Sequence, residues 1–161
     1  MDLYYKSGSL YCTETEEKKE YFYEDGTPKT IEPYLESKLH GEVLLYWPNG
    51  KIKRKCHFKN GARNGIDQMW NDSGILVDEG SYEMGSAVGT HRRYSQKGSL
   101  IEEITYLVSP RFTITGWDEQ GELRLQTTWE GAEYREKVWD RFQKIWIEKE
   151  GFWDGSQLVY R

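Results

Sequence analysis

The sequence has 161 residues, the length of one domain, with 37% hydrophobic residues, a mean hydropathy of -0.86 and a net charge of -5. Aromatic residues make up 15%, so the core is expected to be built from Tyr, Trp and Phe, as in thin β structure. The acidic balance argues against a nucleic-acid binder, which carries a basic excess.

The start, Met1-Asp2-Leu3-Tyr4-Tyr5-Lys6, has neither the basic segment nor the apolar run of a signal peptide, and no stretch reaches membrane-spanning length. A cytoplasmic protein is expected, or one delivered by a specialised secretion system. Cys12 and Cys56 fit no metal spacing and read as reduced thiols, with a disulfide between them left open.

Glycines mark the chain from its first residues onward. Gly8, Gly26, Gly50, Gly74, Gly98 and Gly121 each close a short polar tripeptide, at intervals of 18, 24, 24, 24 and 23 residues, and Gly41, Gly65 and Gly89 keep the same 24-residue interval. One supersecondary unit is therefore repeated. Four residues before each turn glycine stand Tyr4, Phe22, Tyr46, Trp70, Tyr94 and Trp117; two after it stand Leu10, Pro28, Ile52, Leu76, Leu100 and Leu123; eight after it stand Tyr34, Phe58, Tyr82, Tyr106 and Trp129. These columns alternate with polar positions, so each unit reads as two β-strands around a turn.

Lys97 and Gln120 tolerate positive φ poorly, which disfavours a two-residue type I′ loop. A three-residue loop, a type I turn followed by a left-handed residue, needs only the glycine. This register pairs Tyr46 with Ile52, Trp70 with Leu76, Tyr94 with Leu100 and Trp117 with Leu123, and puts the three columns on one face. Residues 59–65 and 83–89 read as return turns. The expected fold class is all-β: a single-layer antiparallel meander of repeated β-hairpins, with a period of about 24, over residues 1–131.

The ends depart from the period. Glu14 to Asp25 carries six acids and two lysines. Near the other end, Tyr134, Val138, Trp139, Phe142, Ile145 and Trp146 share one helical face, with Glu133 to Lys137 and Asp140 to Lys144 at the favourable i,i+4 order. The spacing predicts a capping helix over Ala132 to Ile147 and a short strand pair around Asp154-Gly155, so that 132–161 forms a cap on the last hairpin.

The string Leu45-Tyr46-Trp47-Pro48-Asn49-Gly50-Lys51-Ile52-Lys53, followed by Phe58-Lys59-Asn60-Gly61 and Asn64-Gly65, resembles the variant MORN (membrane occupation and recognition nexus) repeat, which in bacteria often takes a YwqK-like antitoxin form. His40-Gly41 matches the His-Gly element of such units, while Asn64-Gly65 and Val88-Gly89 keep the glycine and lose the histidine. The resemblance runs over about residues 3–131 and implies a repeat array of the kind found in scaffolds, lipid-associated proteins and antitoxin-like proteins.

No catalytic constellation emerges. His40 and His57 lie in a turn and on a strand, His91 stands beside Arg92 and Arg93, and adjacent acids such as Glu102-Glu103 point to opposite faces of a strand. The expectation is no enzyme, no cofactor and no metal. Charge is the more informative feature. Lys51, Lys53, Arg54, Lys55, Lys59 and Arg63 fall within sixteen residues, 51–66, that hold no acid. Lys51, Lys53, Lys55, His57 and Lys59 alternate onto the face opposite the aromatic columns. Glu79 and Glu103, the equivalents of Lys55, offer cross-strand neutralisation instead. Tyr5, Tyr23 and Trp47, three before their glycines, read as exposed rings that add to an interaction surface.

The leading expectation is a non-enzymatic protein-binding repeat module, an antitoxin or immunity partner or a bacterial scaffold or effector, whose candidate contact residues are Lys51, Lys53, Lys55, His57, Lys59, Arg63, Tyr23 and Trp47. The alternatives are association with an anionic membrane surface through the basic stripe, and a carbohydrate or choline binder. The last class is usually richer in Trp-Tyr-Tyr runs and follows an export signal.

Overall fold

The computed structural model describes residues 1–107 and 111–161. Every element among them is a β-strand, and the chain forms two compact units, Met1–Ala87 and Val88–Arg161. The first unit holds β1 (Asp2–Tyr4), β2 (Leu10–Glu14), β3 (Lys18–Phe22), β4 (Pro28–Leu35), the two-residue β5 (Lys38–Leu39), β6 (Gly41–Tyr46), β7 (Ile52–Lys59), β8 (Ala62–Trp70) and β9 (Leu76–Glu83). The second holds all but the first two residues of β10 (Ser86–Tyr94), then β11 (Leu100–Tyr106), β12 (Arg111–Trp117), β13 (Leu123–Glu130), β14 (Glu133–Asp140), β15 (Ile145–Trp153) and β16 (Leu158–Tyr160). Within each unit every strand pairs antiparallel with the next in the chain, except that β4 pairs both β5 and β6.

The turns have the expected geometry. Gly50 takes φ +80°, its N–H donates to the Trp47 carbonyl at 2.9 Å, and the Trp47 N–H donates to Lys51 at 2.8 Å. The same pair of bonds recurs at Gly8, Gly26, Gly74, Gly98 and Gly121. The register across these turns, Tyr46 opposite Ile52, Trp70 opposite Leu76, Tyr94 opposite Leu100 and Trp117 opposite Leu123, is the one the sequence predicts.

Return turns are tighter. Asn60-Gly61, Met84-Gly85 and Glu36-Ser37 all have positive φ at both positions, the type I′ signature. They also stack, since the Gly61 N–H donates to Leu39 at 2.9 Å and the Gly85 N–H donates to Arg63 at 2.8 Å, donors and acceptors each 24 residues apart.

The interior is shallow and partly polar. Among the described residues no large side chain is fully buried; Cys12, Val43, Cys56 and Tyr134 are the buried hydrophobic ones, and both cysteines are free thiols. In the first unit the best-covered row runs across Val43, Cys56, Asp67 and Gly80. Asp67 is held by Arg54, whose Nε and Nη2 donate at 2.8 and 2.6 Å. A buried carboxylate needs such a partner. In the second unit the row is aromatic: Tyr106, Phe112, Trp129 and Tyr134 follow one another with ring centroids 6.3, 6.0 and 4.8 Å apart. Gly151 stands opposite Tyr134, and the Tyr134 and Tyr160 rings meet edge to face across it.

The predicted helix over Ala132 to Ile147 does not form. Residues 133–140 and 145–153 are β14 and β15, a hairpin closed by a turn at 141–144 in which the Asp140 carboxylate accepts from the N–H groups of Phe142 and Gln143 and the Lys144 N–H donates to the Asp140 carbonyl. The helical i,i+4 pairs are replaced by cross-strand ones: Lys137 to Glu148 at 3.0 Å, Lys149 to Glu136 at 3.5 Å, Arg135 to Glu150 at 3.6 Å, and Arg161 to Glu133 at 3.2 Å. Each helical pair is worth only a few tenths of a kcal/mol, and a short helix is marginal on its own. Pairing with β13 satisfies the backbone and extends the aromatic row by Tyr134. The same aromatic and β-branched residues that trace a helical face also have high strand propensity. The strand pair around Asp154-Gly155 is present as β15 and β16.

The turn makes a prediction of opposite sign for the two structures. Lys144 has φ +56°, a strain of about 1 kcal/mol for a non-glycine residue, so Lys144→Gly is expected to stabilise by about 0.5 kcal/mol in chemical denaturation. In a helix interior the same change would destabilise by about 1 kcal/mol, and that result would contradict the hairpin.

Candidate interaction surface

Each hairpin closed by Gly8, Gly26, Gly50, Gly74, Gly98 or Gly121 carries an irregularity just past its turn. The register jumps by one residue there, so Tyr11, Lys29, Lys53, Val77, Ile101 and Arg124, each three after its turn glycine, are bulged. A bulge re-aims the side chain of its extra residue. At Gly8, Gly26, Gly50 and Gly121 it brings that side chain to the residue three before the glycine. Tyr11 packs edge to face on Tyr5 at 5.1 Å, Lys29 lies over the Tyr23 ring at 5.6 Å, Lys53 lies over the Trp47 ring at 4.4 Å, and Arg124 pairs with Asp118.

The rings of the first three hairpins are fixed from the other side as well. The Tyr5 hydroxyl donates to the Phe22 carbonyl at 2.8 Å, the Tyr23 hydroxyl to Tyr46 at 2.8 Å, and the Trp47 indole N–H to Trp70 at 2.9 Å. The pattern is constant: the residue three before one glycine bonds the carbonyl of the residue four before the next. Around Trp47, Asn49 donates to the Asp72 carbonyl at 2.8 Å and the Lys51 amine to Ser73 at 3.0 Å. Tyr5, Tyr23 and Trp47 are consequently half-buried and not freely exposed.

Later hairpins use this position differently. Asn71, Ser95 and Asp118 accept hydrogen bonds from N–H groups of their own turns. The Glu122 N–H, with Arg124 beside it, holds the Asp118 carboxyl below its ordinary range.

The basic stretch divides into separate groups. Lys55 and His57 both reach Glu42, at 2.9 and 3.3 Å, on the face opposite Val43, Cys56 and Phe58. The His57 Nδ1 also meets the Ile66 carbonyl at 3.3 Å, beside Gly65, where a Cβ would come within 3.2 Å of the His57 side chain. Arg63 lies over the Tyr82 ring at 5.1 Å and 3.6 Å from Asp67, which Arg54 also holds. The Asp67 hydrogen bond raises the basicity of Arg54, and burial pushes the Cys56 thiol up. Lys59 is exposed beside the Asn60-Gly61 turn.

Of the sequence candidates, then, Tyr23, Trp47, Lys51 and Lys53 gather at the turn end of the hairpins. Lys55 and His57 share a carboxylate elsewhere, and Arg63 faces the interior row. Sequence reading missed Tyr11 and Lys29. Their signal was the paired occupancy of positions three before and three after four of the six turn glycines: Tyr with Tyr, Tyr with Lys, Trp with Lys, Asp with Arg. Among the described residues no group of three or more His, Cys, Asp or Glu could hold a metal ion.

Residues 39–60 match the family described as the MORN repeat variant. This segment is a MORN repeat of the variant type. The matched segment spans one hairpin, β6 and β7 with the Trp47–Lys53 pair at its turn, and the same turn and bulge recur before and after it. No curated protein matches the chain. The repeated hairpins carry their variable chemistry at the two positions flanking each turn.

Trp47→Phe keeps the ring under Lys53 and removes the indole N–H, leaving the Trp70 carbonyl unpaired. A loss of about 1 kcal/mol is expected in urea denaturation. An unchanged midpoint would show that the tie contributes nothing.

Proposed function

We propose that this MORN array is a non-enzymatic protein-binding module, and that the turn-end row formed by Tyr5, Tyr11, Tyr23, Lys29, Trp47 and Lys53 is its contact surface. The observation that supports this reading is the double fixing of the rings, by a bulged neighbour on one side and a carbonyl of the next unit on the other. A surface held in place before binding loses little side-chain entropy on association. Tyr and Trp rings are also among the residues that carry most interface energy.

The partner is another protein. The likeness to YwqK-like antitoxin repeats supports a bacterial setting, an antitoxin or immunity protein or a scaffold or effector, acting in the cytoplasm or after delivery by a specialised secretion system.

Association with an anionic membrane is the second reading, favoured by the density of bases in 51–66. Compensation weighs against it. Arg54, Lys55 and Arg63 face carboxylates, Lys51 a carbonyl and Lys53 a ring.

Two measurements separate the readings. At physiological salt, where exposed charge is screened within about 8 Å, the protein is expected to stay in the supernatant with anionic phosphatidylserine vesicles. It is also expected to retain one specific protein from lysate of its host, lost with Trp47→Ala. Salt-sensitive sedimentation with the vesicles, abolished by combining Lys51→Glu, Lys53→Glu and Lys55→Glu, would overturn the proposal in favour of the lipid.

A further inference from the structure

Corresponding positions of successive hairpins are two strands apart, and strands lie about 4.8 Å from one another, so the three ring pairs Tyr5/Tyr11, Tyr23/Lys29 and Trp47/Lys53 repeat at about 9.6 Å. A polyproline II chain has three residues per turn and rises about 3.1 Å per residue, so it presents the same face every 9.3 Å or so. An extended β-segment alternates its faces every residue and cannot offer every third side chain to one surface. From this match, and resting on the protein-binding reading above, we infer that the row recognises a polyproline II segment of the partner with an acidic residue at every third position.

The chemistry of the row agrees with its spacing. The polar tips of Tyr5, Tyr23 and Trp47 are engaged by the Phe22, Tyr46 and Trp70 carbonyls, so each ring offers its apolar surface to a ligand while its orientation stays fixed. Proline rings pack on such surfaces, and a pre-extended chain loses little entropy in doing so. Lys29 and Lys53 carry two ammonium groups one repeat apart, matched to carboxylates on successive turns of the ligand. Glu24 and Asp25 lie on the middle turn, and the Asp25 carboxylate is turned back onto the Thr27 N–H at 2.9 Å. The later hairpins lack the pattern: Asn71, Ser95 and Asp118 at the ring position cap their own turns. The row thus has a defined length of three hairpins, about nine ligand residues at three per repeat.

The probe is the synthetic peptide (Pro-Pro-Glu)4, titrated calorimetrically into the full chain, beside a peptide of the same composition with its glutamates clustered at one end and an acidic helical peptide with glutamate at every seventh position. Saturable binding of the first is expected, at least tenfold tighter than either control, with about tenfold loss for Lys53→Glu, Lys29→Glu or Trp47→Ala, each such factor corresponding to 1.4 kcal/mol. Lys38→Glu, at the opposite end of the hairpins, is expected to bind as the unaltered chain does, and thermal melting confirms that each lysine variant is folded. Equal binding of the clustered peptide reduces the effect to nonspecific charge, and preference for the helical peptide or no saturable binding overturns the inference. If a host protein is still captured through Trp47 while the peptide is ignored, the protein-binding reading stands and only the polyproline assignment falls. Capture insensitive to Trp47 would remove the row from both.

Discussion

A hairpin in a sheet of this kind has no second layer to bury its rings against, so its order depends on the hairpin beside it. The bond that supplies the order is short and repeated: a ring tip three residues before one turn glycine donates to the main-chain carbonyl four residues before the next. Because the acceptor is backbone, its position depends on the strand register and not on the identity of the side chain there. The donors are accordingly free to be Tyr or Trp, and the acceptors belong to Phe22, Tyr46 and Trp70 without distinction. At the other end of the hairpins, Gly61 and Gly85 make the equivalent tie through their own N–H groups. Two rows of hydrogen bonds thus hold the ends of neighbouring units in phase, which explains why the sequence keeps its interval so closely.

The proposed contact surface follows from the same constraint. A strand residue in regular alternation would point away from its neighbour, but the bulge after the Gly8, Gly26 and Gly50 turns directs one extra side chain at the ring position. The ring is thereby covered on one side, tied at its tip and presented in a fixed direction. The interior shows the cost of the arrangement. With little depth available, the most covered row of the first unit has a carboxylate at its centre, and Arg54 and Arg63 are drawn inward to neutralise it. Much of the apparent basic stripe is therefore spent on the fold, and Lys53 is left at the turn end over the Trp47 ring.

Much of this was legible in the residues. The interval of the glycines pointed to the meander, and the poor tolerance of Lys97 and Gln120 for positive φ pointed to the turn and hence the register from Tyr46–Ile52 onward. The bulge at Lys53 was not legible, since a single inserted residue leaves the glycine interval unchanged and only breaks the parity between Lys53 and Lys55. That is why Lys53, Lys55 and His57, read as one stripe, divide between Trp47 and Glu42. The segment 133–147 was misread for a related reason. Its apolar residues satisfy a helical period over a short window, and nothing local announces that β13 has an edge to be paired. The long-range partner decided between two local patterns of similar strength.

The central claim, that ring-to-carbonyl ties between units hold the array in phase, is tested most directly by hydrogen exchange at the Trp47 indole N–H, followed by NMR beside the amides of Gly61 and Gly85. The account predicts that all three exchange slowly and through the same opening, because each joins one hairpin to another. Exchange of the indole at the rate of a free tryptophan, with the two glycine amides still protected, would contradict it.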